Sequence, residues 1–249
     1  AAIAGSPTMG GSTISVVDPD KGRVWVSTVK PSEPMTTLSG LSSETKPVGT
    51  VGPDALGAVS VSGTAVAVSA DKGNVLTIRN TEGRLSKPEK SKLEENPSGN
   101  ISQLSMAGEK LAFLDEKGGL GFGGDLIQMG DSAQLQQAGP DSDRILVATA
   151  ESLEAVAAKD GARTTLVKNP NPAEDQVGRP VRLGSCDWQV WWAAGTAHAV
   201  TVCDGAEPQI AEIPGVGDAP AFVWRTNRNQ IVLNDTRSGD VWKVEGEAA

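Results

Sequence analysis

The chain reads as an all-β protein and, within that class, as a β-propeller of six blades, with seven the nearest alternative. Three observations point there: a hairpin that recurs, a turn glycine that returns along the whole chain, and a composition rich in turn formers. The hairpin is plainest from Asn229 to Val244, NQIVLNDTRSGDVWKV. Ile231, Leu233 and Asn234 close one alternating run, Val241, Trp242 and Val244 open another, and Asp235, Ser238 and Gly239 supply the turn chemistry between them. Laid over Thr13 to Val26, TISVVDPDKGRVWV, the frame reappears, with Asp18 for Asp235, Gly22 for Gly239, Val24 for Val241 and Trp25 for Trp242. Turn glycines follow at Gly22, Gly73, Gly119, Gly161, Gly205 and Gly239, at intervals of 51, 46, 42, 44 and 34 residues. Their mean of about 43 matches the period of four-stranded propeller blades. The 29 Gly and 15 Pro suit many short strands joined by turns, and no long amphipathic helix pattern stands out. A chain of 249 residues fits one large β domain spanning residues 1–249.

Taken in order, the first hairpin turns near 18–22, the second (TAVAVSADKGNVLTIR) near 70–73 and the third (KLAFLDEKGGLGFGG) near 115–119. In these three the glycine follows an Asp or Ser by four residues (Asp18, Ser69, Asp115), an offset that Asp235 repeats near 235–239. The fourth unit turns near 158–161 and the fifth near 203–205; they keep only the pair Asp160-Gly161 or Asp204-Gly205. Ahead of each hairpin from the second onward lies another apolar run: LGAVSVSG, ISQLSMAG, RILVATAES, DWQVWWAAG and AFVWRTNRN. Small residues dominate these runs, as crowded strands near a propeller axis require, so they are predicted to be innermost. A fourth, outermost strand is expected in connectors such as KPVGTVGPDALG and NPNPAEDQVGRP. The charged stretch Thr81 to Asn100 is expected to be a long solvated connection with at most a short turn of helix. After Val244 only EGEAA remains, so the last blade is expected to be short, or to be completed by the N-terminus or by chain beyond this sequence.

The formal charge of −9 and pI near 4.7 argue against nucleic acid or an anionic membrane surface as partner. No run approaches the ~20 apolar residues of a membrane-spanning helix, so direct membrane insertion by this chain is not expected. The opening AAIAG is compatible with a cut behind a signal or an anchor.

Cys186 begins the first run of the fifth unit and Cys203 ends its second, with the turn Ala193-Ala194-Gly195-Thr196 midway between them. Antiparallel pairing sets the two opposite each other, so a Cys186–Cys203 disulfide is predicted, and with it an oxidising, extracytoplasmic location. No histidine or second cysteine pair completes a zinc set.

Catalytic patterns are sparse. His198, the sole histidine, alternates with Ala197 and Ala199 in a predicted strand and reads as structural more readily than as a relay base. The absence of Tyr removes the nucleophile of sialidases, which are often six-bladed propellers. DPDKGRVW resembles the sialidase Asp-box, Ser-x-Asp-x-Gly-x-Thr-Trp, with Asp18 in place of Ser and Val24 in place of Thr; SADKGNVL is a second partial copy. In that family the box is a structural turn, so the likeness implies geometry and no activity. The acidic DPDKG lacks the oxygen register of a calcium loop, and no cofactor is expected.

Trp25 and Trp242 occupy equivalent repeat positions and read as packing between sheets. Trp188, Trp191, Trp192 and Trp224 lie on two successive first strands beside Asp187, Gln189, Arg225 and Asn227, with Arg228 nearby. Alternation puts Trp191 on the face opposite Trp188 and Trp192. Two readings compete: an aromatic rim with Asp187, Arg225 and Arg228 as its polar groups, suited to a carbohydrate or peptide, or core between blades.

The ending IVLNDTRSGDVWKV, the opening ISVVDPDKGRVWV and the set Cys186, Trp192, Gly195 and Cys203 resemble the N-terminal propeller-like region of large actinobacterial envelope proteins. Those proteins continue into tandem immunoglobulin-like or fibronectin type III repeats. The resemblance implies an extracytoplasmic, cell-surface interaction domain without known catalysis and assigns no functional residue. The expected function is a non-catalytic module that binds a protein or a cell-envelope glycan; the rival is a propeller glycoside hydrolase or lyase using channel-mouth carboxylates such as Asp187, Asp204 or Asp218.

Overall fold

A computed structural model describes residues 7–29, 46–130, 132–227 and 230–243. These residues form strands and turns, with no helix among them. Six antiparallel sheets follow one another along the chain. The first holds β1 (Pro7–Gly10), β2 (Thr13–Val17), β3 (Arg23–Thr28) and β4 (Gly49–Thr50). The second holds β5 (Ala55–Val59), β6 (Ala65–Ser69) and β7 (Asn74–Ile78). A small hairpin, β8 (Asn80–Thr81) with β9 (Arg84–Leu85), follows, and β10 (Glu89–Lys92) then returns to pair with β7. The third sheet is β11 (Ile101–Ala107), β12 (Lys110–Asp115), β13 (Gly119–Gly121) and β14 (Ile127–Gln128). The fourth is β15 (Gln134–Leu135), β16 (Arg144–Ala148), β17 (Ser152–Ala157) and β18 (Arg163–Lys168). In the fifth, β19 (Gln176–Val177) and β20 (Val181–Leu183) both pair with β21 (Cys186–Ala193), followed by β22 (Thr196–Cys203) and β23 (Gln209–Glu212). The sixth has three strands, β24 (Phe222–Asn227), β25 (Gln230–Asp235) and β26 (Val241–Lys243). AAIAG and EGEAA, the segments on which the closing of the last sheet was expected to turn, lie outside the described residues.

The repeated turn is one physical device. In four sheets the glycine N–H donates to the carbonyl of the residue four before it: Gly22 to Asp18 at 2.8 Å, Gly73 to Ser69 at 3.0 Å, Gly161 to Ala157 at 3.0 Å and Gly239 to Asp235 at 2.9 Å. Where that residue is Asp, its carboxylate caps the turn: Asp18 Oδ1 accepts from the N–H of Asp20 and Lys21, and Asp235 Oδ1 from that of Arg237. Gly22 sits at φ 61°, and a Cβ there would lie 1.7 Å from the Gly52 carbonyl oxygen, so the position excludes every larger residue. In the third sheet the left-handed residue is Gly118, at φ 74°, and not the expected Gly119, which opens β13.

Both faces of the middle strands are covered. Every residue of β2 and β6 is buried. Five apolar cores lie between consecutive sheets: Val24 packs with Leu76, Val68 with Phe113, Leu114 with Leu135, Leu146 with Trp191, and Trp188 with Trp224. Backbone bonds at equivalent places add to the packing, from Ala55 N–H to the Pro19 carbonyl at 3.2 Å and from Ile101 N–H to the Ala70 carbonyl at 3.1 Å.

Two expectations need correction. Thr81 to Asn100 is not a plain connection, because β10 is the outer strand of the second sheet. All four residues of β10 are exposed, so it carries no apolar signal. The runs RILVATAES and DWQVWWAAG are not innermost either. Residues ahead of them pair on their inner side, β15 with β16 and both β19 and β20 with β21, so NPNPAEDQVGRP carries an inner strand and no outer one. Strands of two or three residues are too short to show a period, which is why the longer, second strands stand out in the sequence.

Candidate functional site

The aromatic rim does not form. Trp188 is 1%, Trp191 0% and Trp224 2% exposed. The alternation is as expected, with Trp191 facing the fourth sheet and Trp188 the sixth, but each face is covered by a neighbouring sheet. Trp191 Nε1 donates to the Thr149 carbonyl at 2.7 Å. Trp192 is half-buried, its ring meeting Phe222 edge to face at 5.3 Å, and Phe222 in turn meets Trp242 at 5.7 Å. Trp25 is buried under the Arg23 guanidinium, 5.2 Å from its ring centroid. All of these serve packing between sheets.

Asp187, expected at the rim, is 1% exposed and held by two arginines. Arg182 Nη1 donates to its Oδ1 at 2.8 Å and Arg144 Nη2 to its Oδ2 at 3.0 Å. The same two side chains reach Asp204, at 3.3 and 3.2 Å, so two carboxylates and two guanidinium groups form a closed, charge-balanced cluster. Burial pushes the Asp187 carboxyl up, against the pull of Arg182 and Arg144. Both Asp187 oxygens are occupied, and the cluster ties the fourth sheet to the fifth beside the Cys186–Cys203 bond, whose Cα atoms are 4.0 Å apart. Asp218, the third carboxylate considered, is exposed in the loop between β23 and β24. His198 Nδ1 lies 2.8 Å from Glu174 Oε1, to which the Thr196 hydroxyl also donates at 2.7 Å. That arrangement anchors the segment before β19 onto β22.

What the structure brings together instead is a cavity of about 490 Å³ at the inner edges of the sheets. Each sheet contributes a wall: Met9 from β1, Ala58 from β5, Leu104 from β11, Ala138 after β15, Arg179 between β19 and β20, and Thr226 from β24. A second cavity of about 590 Å³ shares Met9, Val59, Ala138 and Thr226 with it and continues to Gly10, Gly11, Val61, Arg182 and Gly184. No Asp or Glu lines either one.

Arg225, selected from sequence, lines the inner cavity and is exposed to it. Arg228 lies outside the described residues. Arg179 is not among the residues that the sequence singles out. Its Nε donates to the Leu135 carbonyl at 2.9 Å, and its Nη2 to those of Leu104 at 3.1 Å and Gln136 at 2.9 Å. It therefore clasps the inner edges of three sheets. The usable signal was its setting, Gly178-Arg179-Pro180: a Cβ on Gly178 would lie 2.6 Å from Val190 Cγ1, so the backbone here is pressed against β21.

No protein-family model and no curated protein matches the chain. Solved structures do resemble it. Human WBSCR16 superimposes with a TM-score of 0.58 at 11% identity, covering 95% of this chain and 75% of that one. A streptogramin B lyase superimposes with a TM-score of 0.51 at 12% identity, covering 98% of this chain and 83% of that one. At such identities the likeness is one of architecture, and the chain has a β-propeller-like fold.

Proposed function

We propose that this chain is a six-bladed β-propeller that serves as a non-catalytic, extracytoplasmic binding module of a larger cell-surface protein. Its partner is a protein or a cell-envelope glycan, received at the axial cavity. The observation that carries this reading is that cavity: all six sheets contribute to its walls, and it adjoins the second cavity, which Gly10, Gly11 and Gly184 line. Walls built on paired strands are preorganised, so little ordering entropy opposes binding. The Cys186–Cys203 bond supports the extracytoplasmic part of the proposal.

The rival hydrolase or lyase needs two carboxylates free to face a substrate. Asp187 and Asp204 do approach each other, but both are engaged by Arg144 and Arg182. The test is a cavity-filling substitution. Thr226→Trp, at an exposed position lining both cavities, should abolish retention of the purified protein on isolated actinobacterial cell envelope while leaving its melting temperature within about 2 °C of the parent's. Unchanged retention overturns the cavity reading, and release of sugar fragments from the envelope overturns the non-catalytic one.

A further inference from the structure

Resting on that reading, we infer that the axial cavity is a site for a small organic anion, a carboxylate or phosphate head on an apolar body, with Arg179 and Arg225 as its cationic groups. The chain carries a formal charge of −9, with 31 Asp and Glu against 22 Lys and Arg. Its surface field as a whole repels anions. The inner cavity reverses that balance, because its walls contain two arginines and no carboxylate.

Among the described residues, five arginines elsewhere in the molecule are paired with carboxylates, while Arg84 and Arg237, away from the cavity, are not. Arg23 has Asp18, Arg79 has Glu89, Arg163 has Glu154, and Arg144 and Arg182 share Asp187 and Asp204. Arg179 and Arg225 pair with no carboxylate among the described residues. For Arg225, exposed to solvent, this costs little. Arg179 is different, since its guanidinium lies deep among protein atoms while part of its surface stays open to the cavity. Burial holds it below its ordinary value, and a charge so placed calls for a counter-charge.

Three carbonyls meet part of that need. A guanidinium has five N–H donors, one on Nε and two on each Nη. The bonds to Leu135, Leu104 and Gln136 use Nε and both donors of Nη2. Nη1 is left with two donors and no acceptor among the described residues. These three bonds also fix the plane of the group, so Nη1, whose two N–H bonds diverge, is held in place to donate to an oxygen of a carboxylate or phosphate.

The rest of the wall sets the remainder of the ligand. Exposed Met9 offers apolar surface, backed by the buried Val59, Leu104 and Phe222, and about 490 Å³ is the volume of a small-molecule site. A bare inorganic ion would leave most of that surface wet, whereas an anion with an aromatic or aliphatic body would cover it.

The experiment is thermal unfolding of the purified chain titrated with sodium benzoate or sodium phosphate, with sodium chloride holding the ionic strength constant. Benzoate should raise the melting temperature along a saturable curve, by about 5–10 °C at a hundred times its Kd. It should bind at least ~10-fold more tightly than phosphate, the difference being the buried ring. Arg225→Gln should melt as the parent does without ligand and weaken benzoate ~10-fold or more. Arg179→Lys, which keeps the charge but loses the planar group that three carbonyls hold in place, should weaken it as well. If the Arg179 variant fails to fold, Arg225→Gln decides alone. A flat benzoate titration, an equal rise with chloride, or an Arg225→Gln variant that titrates like the parent overturns the inference; phosphate binding with benzoate silent overturns its apolar half. Should benzoate fail while Thr226→Trp still abolishes envelope retention, the anion site falls and the binding module stands.

Discussion

Trp188, Trp191 and Trp224 are equally buried, yet their polar ends differ, and that difference sets what each contributes. Trp191 Nε1 has the Thr149 carbonyl at 2.7 Å, whereas the Nε1 atoms of Trp188 and Trp224 have no partner among the described residues. Replacing any of the three with Phe removes ring volume from a packed core. Only at position 191 does it also orphan a carbonyl, which adds roughly 1 kcal/mol. Urea denaturation should therefore rank Trp191→Phe below Trp188→Phe and Trp224→Phe by about that margin. Equal losses at all three positions would show that the hydrogen bond contributes nothing net.

The hairpin β21–β22 is the element in which sequence and structure agree most closely. Its register runs without a break from Cys186 opposite Cys203 to Ala193 opposite Thr196, with eight residues in each strand. The disulfide at its open end closes a loop across a sequence separation of 17, which is worth roughly 3 kcal/mol through the unfolded chain. Cys186→Ser with Cys203→Ser should lose about that much in a denaturant titration. Intact mass should rise by about 2 Da when the parent is reduced, as two hydrogens add to the two sulfurs. The same region explains why the fourth and fifth units are weaker copies of the repeat. Asp160-Gly161 turns between β17 and β18 and Asp204-Gly205 between β22 and β23, each the last pair of its sheet. The Asp18, Ser69, Asp115 and Asp235 turns join the second strand to the third. Six near-regular glycines thus include two that occupy a different turn of the sheet.

At the scale of the whole molecule, carboxylates that hold turns and sheets together set the response to acid. Arg23 beside Asp18 holds that carboxyl below its ordinary value of 3.8, the Ala221 N–H does the same for Asp235, and Arg163 holds Glu154 below 4.5. Each is more acidic folded than unfolded, so its contribution is fully present above the ordinary value and is lost as pH falls through the lower, folded one. Asp187, raised by burial, works in the opposite sense and favours the fold most at low pH. With Glu109 also held below its ordinary value, four lowered groups against one raised predict a melting temperature that is level near neutrality and falls below about pH 4. Asp235→Asn should melt lower than the parent at pH 7 and show a shallower acid decline; an unchanged acid profile would remove Asp235 from this account.

The existence of the longer strands, most of the turn chemistry and the cysteine pairing were determined by the sequence alone, because each rests on neighbours a few residues apart or on one hairpin's symmetry. Val16, Val24 and Leu233 alternate within their own strands, and Asp18 and Asp235 cap turns within five residues. Only the tertiary structure decided which strand is innermost, whether a tryptophan faces solvent or another sheet, and where an arginine finds its partners. Consecutive sheets pack face to face, so exposure there is set by residues distant in the chain. Arg179 shows it best: the carbonyls that hold it belong to Leu104, Leu135 and Gln136, 43 to 75 residues away. No local pattern records such a meeting, since the charge and the oxygens that position it come together only when three sheets pack side by side.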